Sequence, residues 1–169
     1  MSADLKIERV RTGDLTPDPS NARRHDRRNL DAIKASLEAF GQTRPLVVTE
    51  AALVLAGNGT LAAALELGWK TVDVTRVPFA SEEEARAFAL ADNRTGELAQ
   101  WRAPVLLAAL EELALAGWAP AGLGFEPHDM TALRPRERRA PQEFKAFDED
   151  LPTEHRCPRC AYEWNGSPE

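Results

Sequence analysis

Cysteine, histidine, methionine and tyrosine are scarce in this chain, with two, three, two and one of each among 169 residues. Two cysteines cannot by themselves supply the four ligands of a structural zinc site. No apolar run approaches the roughly 20 residues of a membrane span. The opening stretch, with Asp4, Lys6, Glu8 and Arg9, lacks the apolar h-region of a secretory signal, so the expectation is a cytoplasmic protein with no membrane partner. A surplus of positive charge is also missing. Lys and Arg number 21 against 27 Asp and Glu, a formal charge of −6, which argues against a protein that coats nucleic acid non-specifically. No internal repeat is present, and the length points to one core domain with accessories.

What is there is ordinary globular usage, 43% hydrophobic and 28% charged. Charge is nonetheless local: Arg23, Arg24, Arg27 and Arg28 form one basic cluster, Arg134, Arg136, Arg138 and Arg139 another, and Asp148, Glu149, Asp150 and Glu154 make the tail acidic. Solvated faces are the bland alternative for both clusters. The segment Leu5 to Leu15 alternates loosely and stops at Thr16-Pro17-Asp18-Pro19, read as a turn. Leu30, Ile33, Leu37 and Phe40 define a helix closed by Gly41. Leu46-Val47-Val48 and Leu53-Val54-Leu55 read as a hairpin. A short helix ending at Gly68 follows, then a strand through Val72, Val74 and Val77. Ser81 and Glu84 are spaced as a capping box opening the next helix, and Pro104 and Gly117 bound a further one. The expected domains are a core over 1–125, a polar linker over 126–152 and a cysteine-bearing tail over 153–169.

The most informative stretch joins these elements. A strand runs into Gly57, Asn58, Gly59 and Thr60 and then directly into a helix, a geometry in which glycines permit a tight turn and free helix amides face an anion. A plain α/β connector is the competing reading. Thr60 reads either as a helix cap or as a hydroxyl donor to phosphate, and Asn58 as a left-handed turn residue or a ligand contact.

The order of short motifs is more specific than any one of them: Asn21-Ala22-Arg23-Arg24-His25, then Phe40-Gly41-Gln42, Pro45 to Val48, Leu55 to Ala64, Leu67-Gly68-Trp69, Ala91-Asp92-Asn93-Arg94 and Trp101. From about Ile7 to Leu123 this series resembles the ParB/sulfiredoxin superfamily, in particular phage-type ParB-like N-terminal (nuclease) domains. The resemblance implies an α/β fold, a small mixed sheet with surrounding helices, whose glycine turn and adjacent loops hold a nucleotide. It implies nucleotide contacts from Gly57, Asn58, Gly59, Thr60, Arg23, Arg24 and Gln42. It places Asp92, Asn93 and Arg94 at the catalytic position, with Mg2+ and a nucleoside triphosphate or diphosphate as the cofactors. A carboxylate plus an amide oxygen suits Mg2+, and arginine suits phosphate. The alternative for Asp92-Asn93-Arg94 is a helix C-terminal cap. Partition proteins of this superfamily carry an acidic residue and arginines after the first glycine, where Asn58, Gly59 and Thr60 stand here, so clamp-type CTP hydrolysis is not implied. Sulfiredoxin needs a cysteine nucleophile at this turn, and Asn58 is none.

In the tail, His155, Cys157 and Cys160 resemble half of a zinc ribbon. The site would be completed by a second chain's own pair, giving an all-cysteine site and a dimer, or by His25 or His128; an unstructured tail is the alternative. The functional expectation is a ParB-like domain of a phage or mobile element that binds a nucleotide and acts on or near DNA, as a metal-dependent nuclease or nucleotide hydrolase. DNA would meet Arg23 to Arg28 and Arg134 to Arg139, without a helix-turn-helix. A non-catalytic adaptor dimerising or recruiting a partner through its tail, and a nucleotide-dependent kinase, are the rival readings.

Overall fold

The computed structural model describes residues 5–135 and 153–166. They fall in two compact units, divided between Pro135 and Arg136. The first unit is built on a five-stranded mixed sheet of order β1-β5-β3-β4-β2. Its strands are β1 (Ile7–Arg11), β2 (Thr16–Pro17), β3 (Leu46–Val48), β4 (Leu53–Ala56) and β5 (Thr71–Arg76). Pairing alternates across the sheet: β1 is antiparallel to β5, β5 parallel to β3, β3 antiparallel to β4, and β4 parallel to β2.

Five helices surround it: α1 (Arg27–Phe40), α2 (Asn58–Glu66), α3 (Glu82–Leu98), α4 (Ala103–Leu115) and α5 (Pro127–Leu133). Leu46, Val48, Val54, Leu61, Val72 and Val74 are the large side chains fully removed from solvent. They come from three strands and from α2, which carries Ala63 and Ala64 into the same core. The small residues let this helix lie close to the sheet, so its first turn is fixed by core packing.

The local signals explain most of these elements. Asp26 caps α1 by accepting the Asn29 N–H at 2.8 Å, and Gly41, at φ +69°, returns its N–H to the Leu37 carbonyl. The β3–β4 hairpin closes through Thr49 and through Ala52, which takes a positive φ of 63°. Ser81 caps α3 by accepting from the Glu84 N–H, but the Glu84 carboxylate receives the N–H of Ala80, one residue earlier than a capping box requires.

Three expectations are corrected. Thr16-Pro17 does not simply turn: it pairs with Leu53 and Val54 as a two-residue strand, at a sheet edge where the missing proline N–H costs no ladder bond. Residues 92–94 do not cap a helix, because α3 continues to Leu98. Asn93 donates to the Ala89 carbonyl and Thr95 to that of Asp92, which are bonds compatible with the helix. Asn58 is not left-handed: Gly57 takes that conformation at φ +94°, and Asn58 opens the helix.

The stretch read as the start of the linker contains α5, which lies against α4. Arg28 of α1 pairs with Glu126 and Asp129 at its start. Arg136, Arg138, Arg139 and the acidic residues 148–150 lie outside the described residues. In the second unit, β6 (His155–Arg156) and β7 (Glu163–Trp164) form a small antiparallel hairpin. No described helix is long and apolar enough to cross a membrane.

Candidate functional site

The start of α2 is shaped by two glycines that admit no side chain. A Cβ on Gly57 would collide with the Leu46 side chain, and one on Gly59 would stand 2.6 Å from His25 Cε1 and 2.9 Å from Ile33 Cδ1. Leu61 is the first α2 residue to return its N–H to the turn, at the Gly57 carbonyl. The amides of Asn58, Gly59 and Thr60 therefore remain the free donors of the helix end, carrying its partial positive charge. Thr60 caps nothing: the capping position is Gly57, which has no side chain to cap with.

Over this end lies the segment 18–25, folded by its own side chains. Asp18 accepts the Ser20 N–H at 2.8 Å and Asn21 that of Arg23 at 3.0 Å. Asn58 anchors the segment, accepting the Asp18 N–H at 3.0 Å and donating to the Val54 carbonyl at 2.9 Å. Its carboxamide is thus largely spent on structure. At the far end, Arg23 reaches across to α3, with 3.1 Å to Glu97 and 3.4 Å to the Asn93 oxygen.

A cavity of about 170 Å³ results, with Gly57, Gly59, Thr60 and His25 on one side and Arg23 and Asn93 on the other. Asn21, Arg23 and Asn93 also line an adjoining cleft of about 810 Å³ that adds Arg24, Arg86, Arg94 and Glu97. Four arginines against Asp18 and Glu97 make this cleft basic although the chain is acidic. Among the described residues Arg24 and Arg86 form no ion pair, while Arg94 lies 3.3 Å from Glu97.

The expected site residues thus divide. Gly57, Asn58, Gly59, Thr60, Arg23, Arg24, Asn93 and Arg94 line the adjoining cavities. Asp92 does not: it is exposed and lines neither cavity. Gln42 is elsewhere. Its carboxamide donates to the Asp73 carbonyl and accepts the Asp73 N–H, both at 2.7 Å, standing in for backbone just beyond Leu46, where β3 begins opposite Val74. Arg86 and Glu97 were not singled out from the sequence, although Arg86, Leu90, Asn93 and Glu97 recur at the spacing of one helix face.

The arginine cluster at the start of α1 also divides. Arg27 pairs with Asp31 and Glu66, and Arg28 with Glu126 and Asp129, leaving Arg23 and Arg24 to the cleft. Arg134 lies 3.9 Å from Glu111. In the tail, no three His, Cys, Asp or Glu side chains converge among the described residues. His155 packs on Trp164 at 5.5 Å between ring centroids and does not join the cysteines as a third ligand.

No protein-family model matches the chain. The chain is 31% identical over 84 residues to the ParB-like nuclease domain-containing protein YnaK of Escherichia coli (strain K12), a match covering 50% of this chain and 97% of that protein. The structure of C-terminally truncated chromosome-partitioning protein ParB from Caulobacter crescentus, complexed with CTP-gamma-S, superimposes with a TM-score of 0.62 at 16% identity, covering 76% of each chain. A Pnob8-like ParB-N domain follows with a TM-score of 0.47 at 22% identity, over 68% of this chain and 46% of that one. The chain belongs to the ParB-like domain family.

Proposed function

We propose that the cleft binds a nucleoside triphosphate, with its phosphates at the start of α2 and its nucleoside in the larger space toward α3. The observation that carries this reading is the meeting of the free amides of residues 58–60 with Arg23 in one small cavity that shares a wall with the cleft of Arg24, Arg86 and Arg94. Backbone donors at a helix end select an anion of any kind, and bidentate arginines favour phosphate oxygens. The sizes are compatible: the inner cavity suits a phosphate group, and the outer cleft lies in the range of about 300 to 1,000 Å³ common for small-molecule sites.

Magnesium fits the donors present. Asn93 offers a neutral oxygen and Glu97 a carboxylate, and a hydrated Mg2+ needs only one or two such ligands beside phosphate. The ion would neutralise phosphate charge there. Arg23 and Arg94, which hold Glu97 without a ligand, would turn to the phosphates and leave that carboxylate free. Asp92 stands on the neighbouring flank and is left out of this set.

The nucleotide-bound domain would act on or near DNA, with Arg24 and Arg86, which pair with no carboxylate among the described residues, as the cleft's cations. The test is calorimetric titration of metal-purged protein with CTP, ATP, GTP and ADP in Mg2+. CTP heads the series because the Caulobacter ParB was seen with a CTP analogue. Saturable binding, weakened about tenfold or more by Arg23→Ala and Asn93→Ala and less by Asp92→Ala, is the expected result. No heat from any nucleotide would overturn the reading and leave an adaptor role. Nicking of supercoiled plasmid that needs Mg2+ and is lost in Asn93→Ala would instead support the nuclease named in the Escherichia coli relative.

A further inference from the structure

Among the described residues, the hairpin of the second unit is held by a few exposed bonds, Thr153 to Glu163 at 2.9 Å and the Glu154 N–H to Asn165 at 2.8 Å, besides its own backbone pairing. Its strands are two residues each, and an isolated two-stranded hairpin is marginal in water. Its ion pair, Arg156 with Glu163 at 3.6 Å, is exposed and worth little. Among the described residues of this unit, aromatic contact involves the rings of His155, Tyr162 and Trp164. Domains this small are commonly stapled by a disulfide or a metal.

The turn between the strands is built around sulfur. Cys157 donates its N–H to the Tyr162 carbonyl at 2.8 Å and accepts the Ala161 N–H at 2.9 Å, with Ala161 at φ +59°. This wraps Cys157-Pro158-Arg159-Cys160 into a knuckle. Both cysteines are free, one half-buried and the other exposed. A redox pair would open a helix, whereas this pair closes a β-turn. Two adjacent thiolates on a rigid turn are one edge of a tetrahedron.

We propose that Cys157 and Cys160 form half of a tetrahedral zinc site, completed by the same two cysteines of a second copy of this chain. The rest of the chain supports the division. Its three histidines are otherwise engaged: His25 with Asn29 at 2.6 Å, His128 beside Glu126 and Asp129, and His155 on Trp164. Binding replaces four S–H bonds by four Zn–S bonds and releases four protons to solvent, two from each chain, with no redox change. Four thiolates leave the Zn2+ site with excess negative charge, and Arg156 and Arg159 flank it on each copy. Two hairpins facing each other across the metal would also share their exposed aromatic rings.

The test uses the untagged full-length chain, reduced, loaded with Zn2+ and freed of excess metal by gel filtration. The expected result is one zinc per two chains by metal analysis and a dimer by native mass spectrometry that returns to monomer with EDTA. Co2+ in place of zinc should give the absorption of a tetrahedral four-thiolate site. The double substitution Cys157→Ser and Cys160→Ser should retain no metal, while circular dichroism and the melting of the first unit stay unchanged. One zinc per chain on a monomer, or no zinc retained by the wild-type chain, overturns the proposal.

Discussion

Asn58 receives the main-chain N–H of Asp18 at 3.0 Å, across 40 residues of sequence. This bond ties the arginine-bearing segment to the end of the sheet. Asn58→Ala removes it together with the bond to Val54, and two partly buried polar groups then lose their partners. The expected loss is about 1 to 3 kcal/mol, read from urea denaturation. Nucleotide affinity should fall with it, because the loop that carries Arg23 is no longer pinned.

Gly59→Ala should destabilise by about 1 to 3 kcal/mol through overpacking, since the new methyl meets His25 and Ile33. In the His25→Ala background the same change should cost much less. A double-mutant cycle measures the difference, and additive effects would mean that the His25 ring does not lie against this glycine.

Arg86→Ala separates binding from stability. The side chain is exposed and makes no ion pair among the described residues, so the melting midpoint should move by no more than about 0.5 kcal/mol equivalent. Calorimetric affinity for a triphosphate should nevertheless drop severalfold, and the salt dependence of binding should become shallower.

Acid should loosen the contact between α1 and α2. Lys34 donates to Asp31 at 2.8 Å and Glu66 at 2.9 Å, and Arg27 adds to both pairs. The Lys34 hydrogen bond is the leading cause that holds both carboxyl groups below their ordinary range. Groups with depressed folded-state pKa stabilise fully above their unfolded values, about 3.9 for Asp and 4.3 for Glu, and lose that contribution as the pH falls through the lower folded values. Melting temperature should therefore decline below about pH 4, and Glu66→Gln should flatten that decline.

Local features were legible where neighbours in sequence create them. The periodic leucines of α1, the apolar runs of β3 and β4 and the glycine turn each carry their own signal, and each forms at the expected place. Thr16-Pro17 was not legible as a strand because its partner is Leu53-Val54, supplied only by the tertiary fold. Asp92-Asn93-Arg94 was read as one group, yet on the continuing helix Asn93 and Arg94 line the cleft while Asp92 does not. Gln42 shows the same limit from the other side: a carboxamide near a glycine serves a ligand or a strand equally well, and only the position of Asp73 decides. Arg86 sat in a helix whose inward face could be assigned only once loop 18–25 was placed beside it.

The end of the sheet at β2 has a consequence for how copies of this domain can meet. Pro17 leaves a stub two residues long with a missing donor, a poor template for any added strand. At the opposite border, Arg9 and Glu8 of β1 are occupied with Asp73 and Arg76, and charged side chains discourage a further strand there as well. Both described borders of the sheet are thus poor templates for backbone pairing with another copy.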